Sequence, residues 1–313
     1  MKRKVIDFIV CPACLPNEIR LDCGAVDETD GDIETGALTC PACGASYPII
    51  QGVAHLVSSK SPTVRSNSSK YENPEVLSSY LWSHFSDLLG DADAHTAYGD
   101  WSSLVAPDSG TALDTGCATG RFTFELSRKC EFAVGVDYST TFVRSARALM
   151  KNRAGEFDLI EEGLIRRQRG FLLPETWDSN KVEFLVADAQ ALPFKSNRFS
   201  IVTSLNLVDK LSRPLAHLKE INRVAGITQS QFLFSDPFSW SQDIAETKEW
   251  LGGLTEGPFA GFGIDNISNL VEGGRKMLLP AWNVEGRGTV WWKIRNHRNH
   301  FELIRSCFLK ATR

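Results

Sequence analysis

The chain has 313 residues, of which 42% are apolar, 23% charged and 10% aromatic. That profile excludes a disordered or fibrous protein and leaves room for about two domains with sizeable cores. No apolar run approaches the roughly 18 residues of a membrane span, and the opening Met1-Lys2-Arg3-Lys4 followed by Val5 to Val10 is too short for a signal peptide, so a cytoplasmic location is expected. A net charge of −4 and a pI near 5.9 give no support to a role in coating nucleic-acid phosphates.

Residues 1–57 carry four basic side chains, Lys2, Arg3, Lys4 and Arg20, against eight acidic ones, which accounts for the whole net charge of −4. The same segment holds five of the eight cysteines. They read Cys11-Pro12-Ala13-Cys14, a separate Cys23, and Cys40-Pro41-Ala42-Cys43-Gly44. Two C-x-x-C turns each aim two thiolates at one point, and four thiolates close a tetrahedral zinc site. The same spacing serves disulfides or redox turns, but no export signal precedes it and no βαβ pattern follows. A structural Zn²⁺ on Cys11, Cys14, Cys40 and Cys43 is expected, with an acidic hairpin around Asp27–Gly36 filling the long gap. A closed four-thiolate site leaves no open position for catalysis. It substitutes for a core that so short a segment cannot build.

After Cys43 the chain continues Ala45-Ser46-Tyr47-Pro48-Ile49-Ile50-Gln51-Gly52-Val53. With its knuckles this stretch, residues 5–57, resembles the zinc-ribbon family of the small activator subunit of tRNA and protein methyltransferases, where the second knuckle runs into a similar Y-P-I-x-x-G strand and turn. The resemblance implies a ribbon at 1–57 that can dock a protein partner. The basic residues of a nucleic-acid-reading ribbon are missing. Residues 58–75 are polar, unpatterned and rich in serine, and read as a linker. From Val76 to Val105 the apolar spacing is helical, predicting helices that lead into or lid the domain at 76–313.

Thr111-Ala112-Leu113-Asp114-Thr115-Gly116-Cys117-Ala118-Thr119-Gly120-Arg121 reads as an apolar strand ending in an acid, a glycine turn and the opening of a helix. Phe132 to Asp137 gives a second strand with a terminal acid. The pair forms the first βαβ of a doubly wound α/β sheet, whose ligand sits at the carboxyl ends of the strands. A dinucleotide fingerprint fails, because Ala118 and Arg121 occupy its second and third glycine places. Asp114 would repel a pyrophosphate and suits an ammonium.

This stretch resembles the first motif of class I S-adenosylmethionine (SAM) methyltransferases, with alanine at the middle glycine. That resemblance implies a Rossmann-like sheet of seven strands with an antiparallel last hairpin. It implies SAM held by Asp114, Gly116, Ala118, Gly120, Asp137, Tyr138, Asp188, Ala189 and Asn206. Asp137 would take the ribose hydroxyls and Asp188, after the strand at 182–187, the adenine amino group. Taken alone, any one such acid is equally a turn or a helix cap. A fourth strand runs over Phe199–Asp209, a fifth over Gln231–Ser235, and the last two over Thr289–Arg295 and Phe301–Thr312.

From Ala112 onward several pieces are narrower than the superfamily: Gly116-Cys117-Ala118, Glu161-Glu162-Gly163, Asn206 to Leu211, Pro237-Phe238-Ser239-Trp240, Trp250-Leu251-Gly252-Gly253 and Ile294-Arg295. In order, they resemble the C-terminal methyltransferase domain of ovothiol synthase, the 4-mercaptohistidine N1-methyltransferase family. Here a zinc ribbon stands where that family has an iron oxygenase. The resemblance implies a small imidazole or amino-acid-like acceptor. Asn206 and Asp209 could position it, Asp236 and Trp240 could hold a cation or stack a ring, and Arg295 could pair a carboxylate. Lid packing for Trp240 and Trp250, and a helix cap at Asp209, remain equally good readings. His84, His95, His217, His297 and His300 have no ligand spacing. Two other functions stay open: an rRNA or tRNA base methyltransferase, against which the acidic ribbon counts, and a non-catalytic partner-docking protein.

Overall fold

The computed structural model of the protein describes residues 1–59, 61 and 70–313. Residue 60 and residues 62–69 of the expected linker lie outside the described residues. At the N-terminus the two cysteine knuckles flank Asp22–Thr29 (β1) and Asp32–Thr39 (β2), an antiparallel hairpin that turns at Asp30-Gly31. This is the acidic insert expected between the knuckles. Ser46–Ile50 (β3) pairs with β2 and turns at Gln51-Gly52 into Val53–Leu56 (β4). Along β3, Tyr47 and Ile49 are buried while Ser46, Pro48 and Ile50 are exposed, the alternation of a strand packed on one face.

Pro74–Phe85 (α1) starts where Asn73 accepts a hydrogen bond from the Glu75 amide at 2.8 Å and Pro74 takes the first helical position. Ala97–Leu104 (α2) follows. Next come Thr111–Thr115 (β5), Arg121–Leu126 (α3), Phe132–Asp137 (β6), Thr140–Asn152 (α4), Ala154–Glu162 (β7) and Ile165–Leu172 (β8). Val182–Ala187 (β9), Ile201–Leu205 (β10), Pro214–Val224 (α5), Gln231–Asp236 (β11) and Gly263–Val271 (α6) complete the alternating part. Asn283–His297 (β12) and His300–Thr312 (β13) close the chain as a hairpin longer than the sequence predicts.

Strands order as β1-β2-β3-β4-β9-β6-β5-β10-β11-β13-β12. Pairing is parallel from β4 through β11 and antiparallel at both flanks. The sheet therefore has eleven strands where the sequence predicts seven. The reason is a shared edge: β4 pairs in parallel with β9, His55 opposite Val186 and Leu56 opposite Ala187, so the ribbon's strands continue the large sheet. Two apolar clusters follow from the two-residue period of strands. Leu113, Val134 and Val202 point to one face, with α5, α6 and the ribbon residues Ile9, Leu38, Tyr47 and Ile49. Ala112, Ala133 and Ile201 point to the other, with α1 to α4. The insert at β7 and β8 forms a separate hairpin.

A buried ion network reinforces the junction. The Arg147 guanidinium, on α4, bonds Glu183 of β9 and Asp32 of β2. Glu183 also accepts the Lys2 amide and, at 2.9 Å, the Phe184 amide. Gly52 sits at φ +77°, and a Cβ there would fall 2.3 Å from Arg147 Nε. The glycine of the Y-P-I-x-x-G turn thus lets a guanidinium of the large lobe pass across the ribbon.

Candidate functional site

Parallel strands leave their carboxyl ends along one rim, which collects the sequence's acids. Asp114 ends β5 beside Thr123 and Thr203, whose hydroxyls donate to its carboxylate at 2.8 and 2.9 Å. Asp137, at the end of β6, accepts the Ala118 amide on Oδ2 and the Ser139 amide on Oδ1, both at 2.9 Å. Burial pushes both carboxyls up to about 6. Asp188, after β9, accepts the Gln190 amide at 2.8 Å and the Ser61 hydroxyl.

The turn between β5 and α3 needs unusual backbone. Ala118 lies at φ +44° and presents its amide to Asp137. Gly120, at φ +87°, would place a Cβ 2.7 Å from the Phe184 ring and 3.0 Å from Ala146. The close helix–sheet contact that a dinucleotide fingerprint makes at its third glycine, the place of Arg121, is thus made one residue earlier. Arg121 turns away from the rim and pairs with Asp87 at 2.6 Å and Glu125 at 2.9 Å.

A cavity of about 440 Å³ opens over these strand ends. Asp114, Gly116, Ala118, Asp137, Tyr138, Asp188, Ala189 and Asn206 all line it. Gly120 acts from beneath, through packing. Asn206 has φ +54°, and its buried Oδ1 has no partner among the described residues. Each Asp137 oxygen takes one N–H and keeps a free lone pair, enough for two vicinal hydroxyls. The volume suits a nucleoside-sized ligand. The site therefore fits SAM in size and in donor set.

The cavity also has an aromatic lining that sequence reasoning missed. Tyr80 and His84 of α1, Tyr98 and Trp101 of α2, and Trp292 of β12 line it. His84 and Tyr98 have ring centroids 4.7 Å apart, and Tyr98 meets Trp101 edge to face at 5.4 Å. The density of rings between residues 71 and 101 was the available signal. Lys210 and Glu302 also border the space.

Four residues expected at the acceptor lie elsewhere. Asp209 is buried, accepts the Ser239 amide at 2.8 Å and pairs with Lys210 at 3.0 Å, so it reaches the cavity only through that lysine. Asp236 is wholly buried and accepts the Phe238 amide at 2.7 Å. Trp240 stacks on Trp250 at 6.1 Å. Arg295 pairs with Glu161 of β7 at 3.2 Å. None of the four is among the cavity-lining residues. His217, assigned no role from its spacing, is buried between Ser204 and the Ala189 carbonyl, both at 2.9 Å.

In the ribbon the four sulfur atoms of Cys11, Cys14, Cys40 and Cys43 lie within 4.8 Å of one another. Cys11–Cys43 and Cys14–Cys40 are 3.7 Å apart. Zn–S bonds of about 2.3 Å in a tetrahedron put sulfurs about 3.8 Å apart, so the thiols already stand at zinc-ligand spacing. Cys23 is not in the cluster.

Residues 113–226 match the family described as methyltransferase domain, and residues 2–52 match the Trm112p-like protein family. No curated protein matches the chain. Among solved structures, a chain from the complex of the Haloferax volcanii Trm112 methyltransferase activator with a candidate methyltransferase is 14% identical. It aligns over 80% of this chain and 97% of its own, with a TM-score of 0.47. A SAM-dependent methyltransferase of Methanosarcina mazei is 17% identical over 65% and 92% of the two chains, TM-score 0.43. The YcgJ protein of Bacillus subtilis is 12% identical over 69% and 98%, TM-score 0.43. No helix among the described residues is long and apolar enough to cross a membrane. The chain thus carries a SAM-dependent methyltransferase domain, matched over residues 113–226, behind a Trm112p-like zinc ribbon.

Proposed function

We propose that the protein is an N-methyltransferase of a small imidazole or amino-acid-like metabolite. The observation that carries this reading is the lining of the cavity, which combines the strand-end acids Asp114, Asp137 and Asp188 with the rings of Tyr80, His84, Tyr98 and Trp292. When bound, SAM supplies an activated methyl on a sulfonium, and the chain's task is orientation. Asp137 accepts sugar hydroxyls, Asp188 an adenine amine, and Asp114 with its two threonine hydroxyls sets a negative pole for the amino-acid end. Asn206 borders the rim through its side chain and left-handed backbone. The aromatic wall excludes water and stacks the acceptor ring, while Lys210, held by Asp209, faces an acidic substituent.

In this reading the ribbon's partner is the chain's own catalytic domain, in place of a separate activator subunit. The acidic ribbon and the two lysines that line the cavity offer no basic stripe for RNA. The test is a labelled-methyl screen over histidine derivatives, small amines and RNA at rising salt. Transfer to a free histidine derivative, insensitive to salt, supports the proposal. Label confined to RNA and lost steeply with salt refutes it.

A further inference from the structure

Asp209 and Asp236 are 1% and 0% exposed, a costly place for two neighbouring carboxyls unless they hold something in position. What they hold are two residues that line the cavity, Lys210 and Ser239. Asp209 Oδ2 accepts the Lys210 ammonium at 3.0 Å and the Ser239 amide at 2.8 Å. Sharing one acceptor oxygen, these two donors lie within about 6 Å of each other. Asp236 ties the same two loops together, its Oδ2 accepting the Asp209 amide at 3.3 Å and its Oδ1 the Phe238 amide at 2.7 Å. Phe238 is kept at φ +56°, a left-handed conformation that is costly for a phenylalanine, and the next residue it delivers to the cavity is Ser239.

Unlike the two carboxyls, both delivered residues are accessible. The Lys210 side chain is 35% exposed, and Ser239 is exposed. Burial alone would pull the Lys210 ammonium down, but Asp209 holds it above the usual range, so it meets a ligand charged. Of its three N–H donors Asp209 takes one. Strand order then separates this pair from the cofactor. β9, β6 and β5 are adjacent, and the proposed reading gives their acids Asp188, Asp137 and Asp114 to the adenine, ribose and methionine parts of SAM. Lys210 and Ser239 follow the next two strands, β10 and β11, each about 5 Å further along the rim. They stand past the methionine end, on the side left to the acceptor.

We propose that the Lys210 ammonium and the Ser239 hydroxyl form a subsite for the carboxylate of an amino-acid acceptor, with Asp209 and Asp236 as positioning residues. The inference rests on the methyltransferase reading of the cavity and deepens it, from an acidic substituent near one lysine to a carboxylate held by two named groups. A clamped ammonium with a hydroxyl beside it matches a monoanion in charge and in donor number.

Calorimetry on the full zinc-loaded chain, saturated with S-adenosylhomocysteine, compares L-histidine with histamine, which lacks the carboxylate. The parent binds histidine about tenfold or more tighter than histamine. Lys210→Met removes that preference by weakening histidine while histamine stays within about twofold, and Lys210→Arg keeps most of it. Ser239→Ala costs histidine about threefold. Asp209→Asn, which keeps the side-chain shape, leaves the lysine present but unclamped and lowers the preference without abolishing it. A separate titration compares S-adenosylhomocysteine with 5′-methylthioadenosine, which lacks the amino-acid end, and every variant keeps the parent's ratio. A parent that binds S-adenosylhomocysteine but shows no preference for histidine overturns the subsite alone. So does a Lys210→Met chain that weakens histidine and histamine equally, which reports general damage. A Lys210→Met chain that loses the preference for S-adenosylhomocysteine also overturns it, because the lysine then serves the cofactor. A parent that binds no S-adenosylhomocysteine overturns the methyltransferase reading, and the subsite with it.

Discussion

Replacing Arg147 by methionine tests how the ribbon is held on the catalytic sheet. Arg147 is 2% exposed and Glu183 0%, so the substitution leaves a carboxylate stranded in the interior. Breaking a buried pair from one side costs about 3–5 kcal/mol. The methionine stem restores some packing, which sets the expected loss near 3 kcal/mol against a total stability of about 5–15 kcal/mol. Urea unfolding followed by tryptophan fluorescence measures it. Glu183 gives the pH dependence its sign. Burial alone would push this carboxyl up, but Arg147 and its neighbours hold it below the ordinary 4.5. A depressed carboxyl stabilises fully above its unfolded value, and that contribution fades as pH falls through the folded one. The gap between parent and variant therefore narrows in acid. Replacing both Arg147→Met and Glu183→Leu recovers part of the loss, because the buried carboxylate goes with its guanidinium while Asp32 keeps the Met1 ammonium at 2.9 Å. A single-variant loss under about 1 kcal/mol, the size of a surface pair, refutes the argument. So does a gap that stays constant through the carboxylate range.

Further predictions concern the cavity and the metal. Asp137→Asn is expected to weaken S-adenosylhomocysteine binding about tenfold to a hundredfold by calorimetry, since the proposed reading makes this carboxylate the acceptor of two hydroxyls. Because burial pushes Asp114 and Asp137 up to about 6 and the ligand's positive charge favours their ionised forms, SAM affinity should fall below that point by up to about tenfold per pH unit for each carboxyl. Binding at pH 6 should release protons, read as a buffer-dependent heat. Affinity flat from pH 7 to 5 would contradict it. Metal analysis should find one zinc per chain, and Cys43→Ser or a strong chelator should remove it and lower the melting temperature, because the ribbon shares an apolar cluster with the sheet. Gly120→Ala should cost about 2–4 kcal/mol, combining a left-handed backbone with a Cβ against Phe184. An unchanged urea midpoint would show that the turn gives way freely.

Local pattern made much of this legible. A C-x-x-C turn aims its thiols by its own backbone, so the metal cluster could be read from spacing alone. Strands that end in Asp114, Asp137 and Asp188 announce a parallel sheet, and parallel order brings their ends to one rim whatever the loops do. The structure instead starts α1 at Pro74, inside the stretch read as linker, with Asn73 accepting the Glu75 amide at 2.8 Å.

What depended on distant partners was not legible. Nothing in Val53–Leu56 states that it will pair with β9 rather than end a free ribbon, because an edge strand's neighbour is set by the whole surface it meets. Asp209, Asp236, Trp240 and Arg295 carry the right chemistry at the right strand ends, yet each was captured by a closer partner: Lys210, the Phe238 amide, Trp250 and Glu161. The aromatic wall joins residues about two hundred positions apart, Tyr80 and Trp292, through the fold of a long hairpin over two helices. Sequence thus determined which ions and charges this protein can hold. Tertiary structure alone decided which side chains remain free to face a ligand, because a polar group's role depends on what packs beside it.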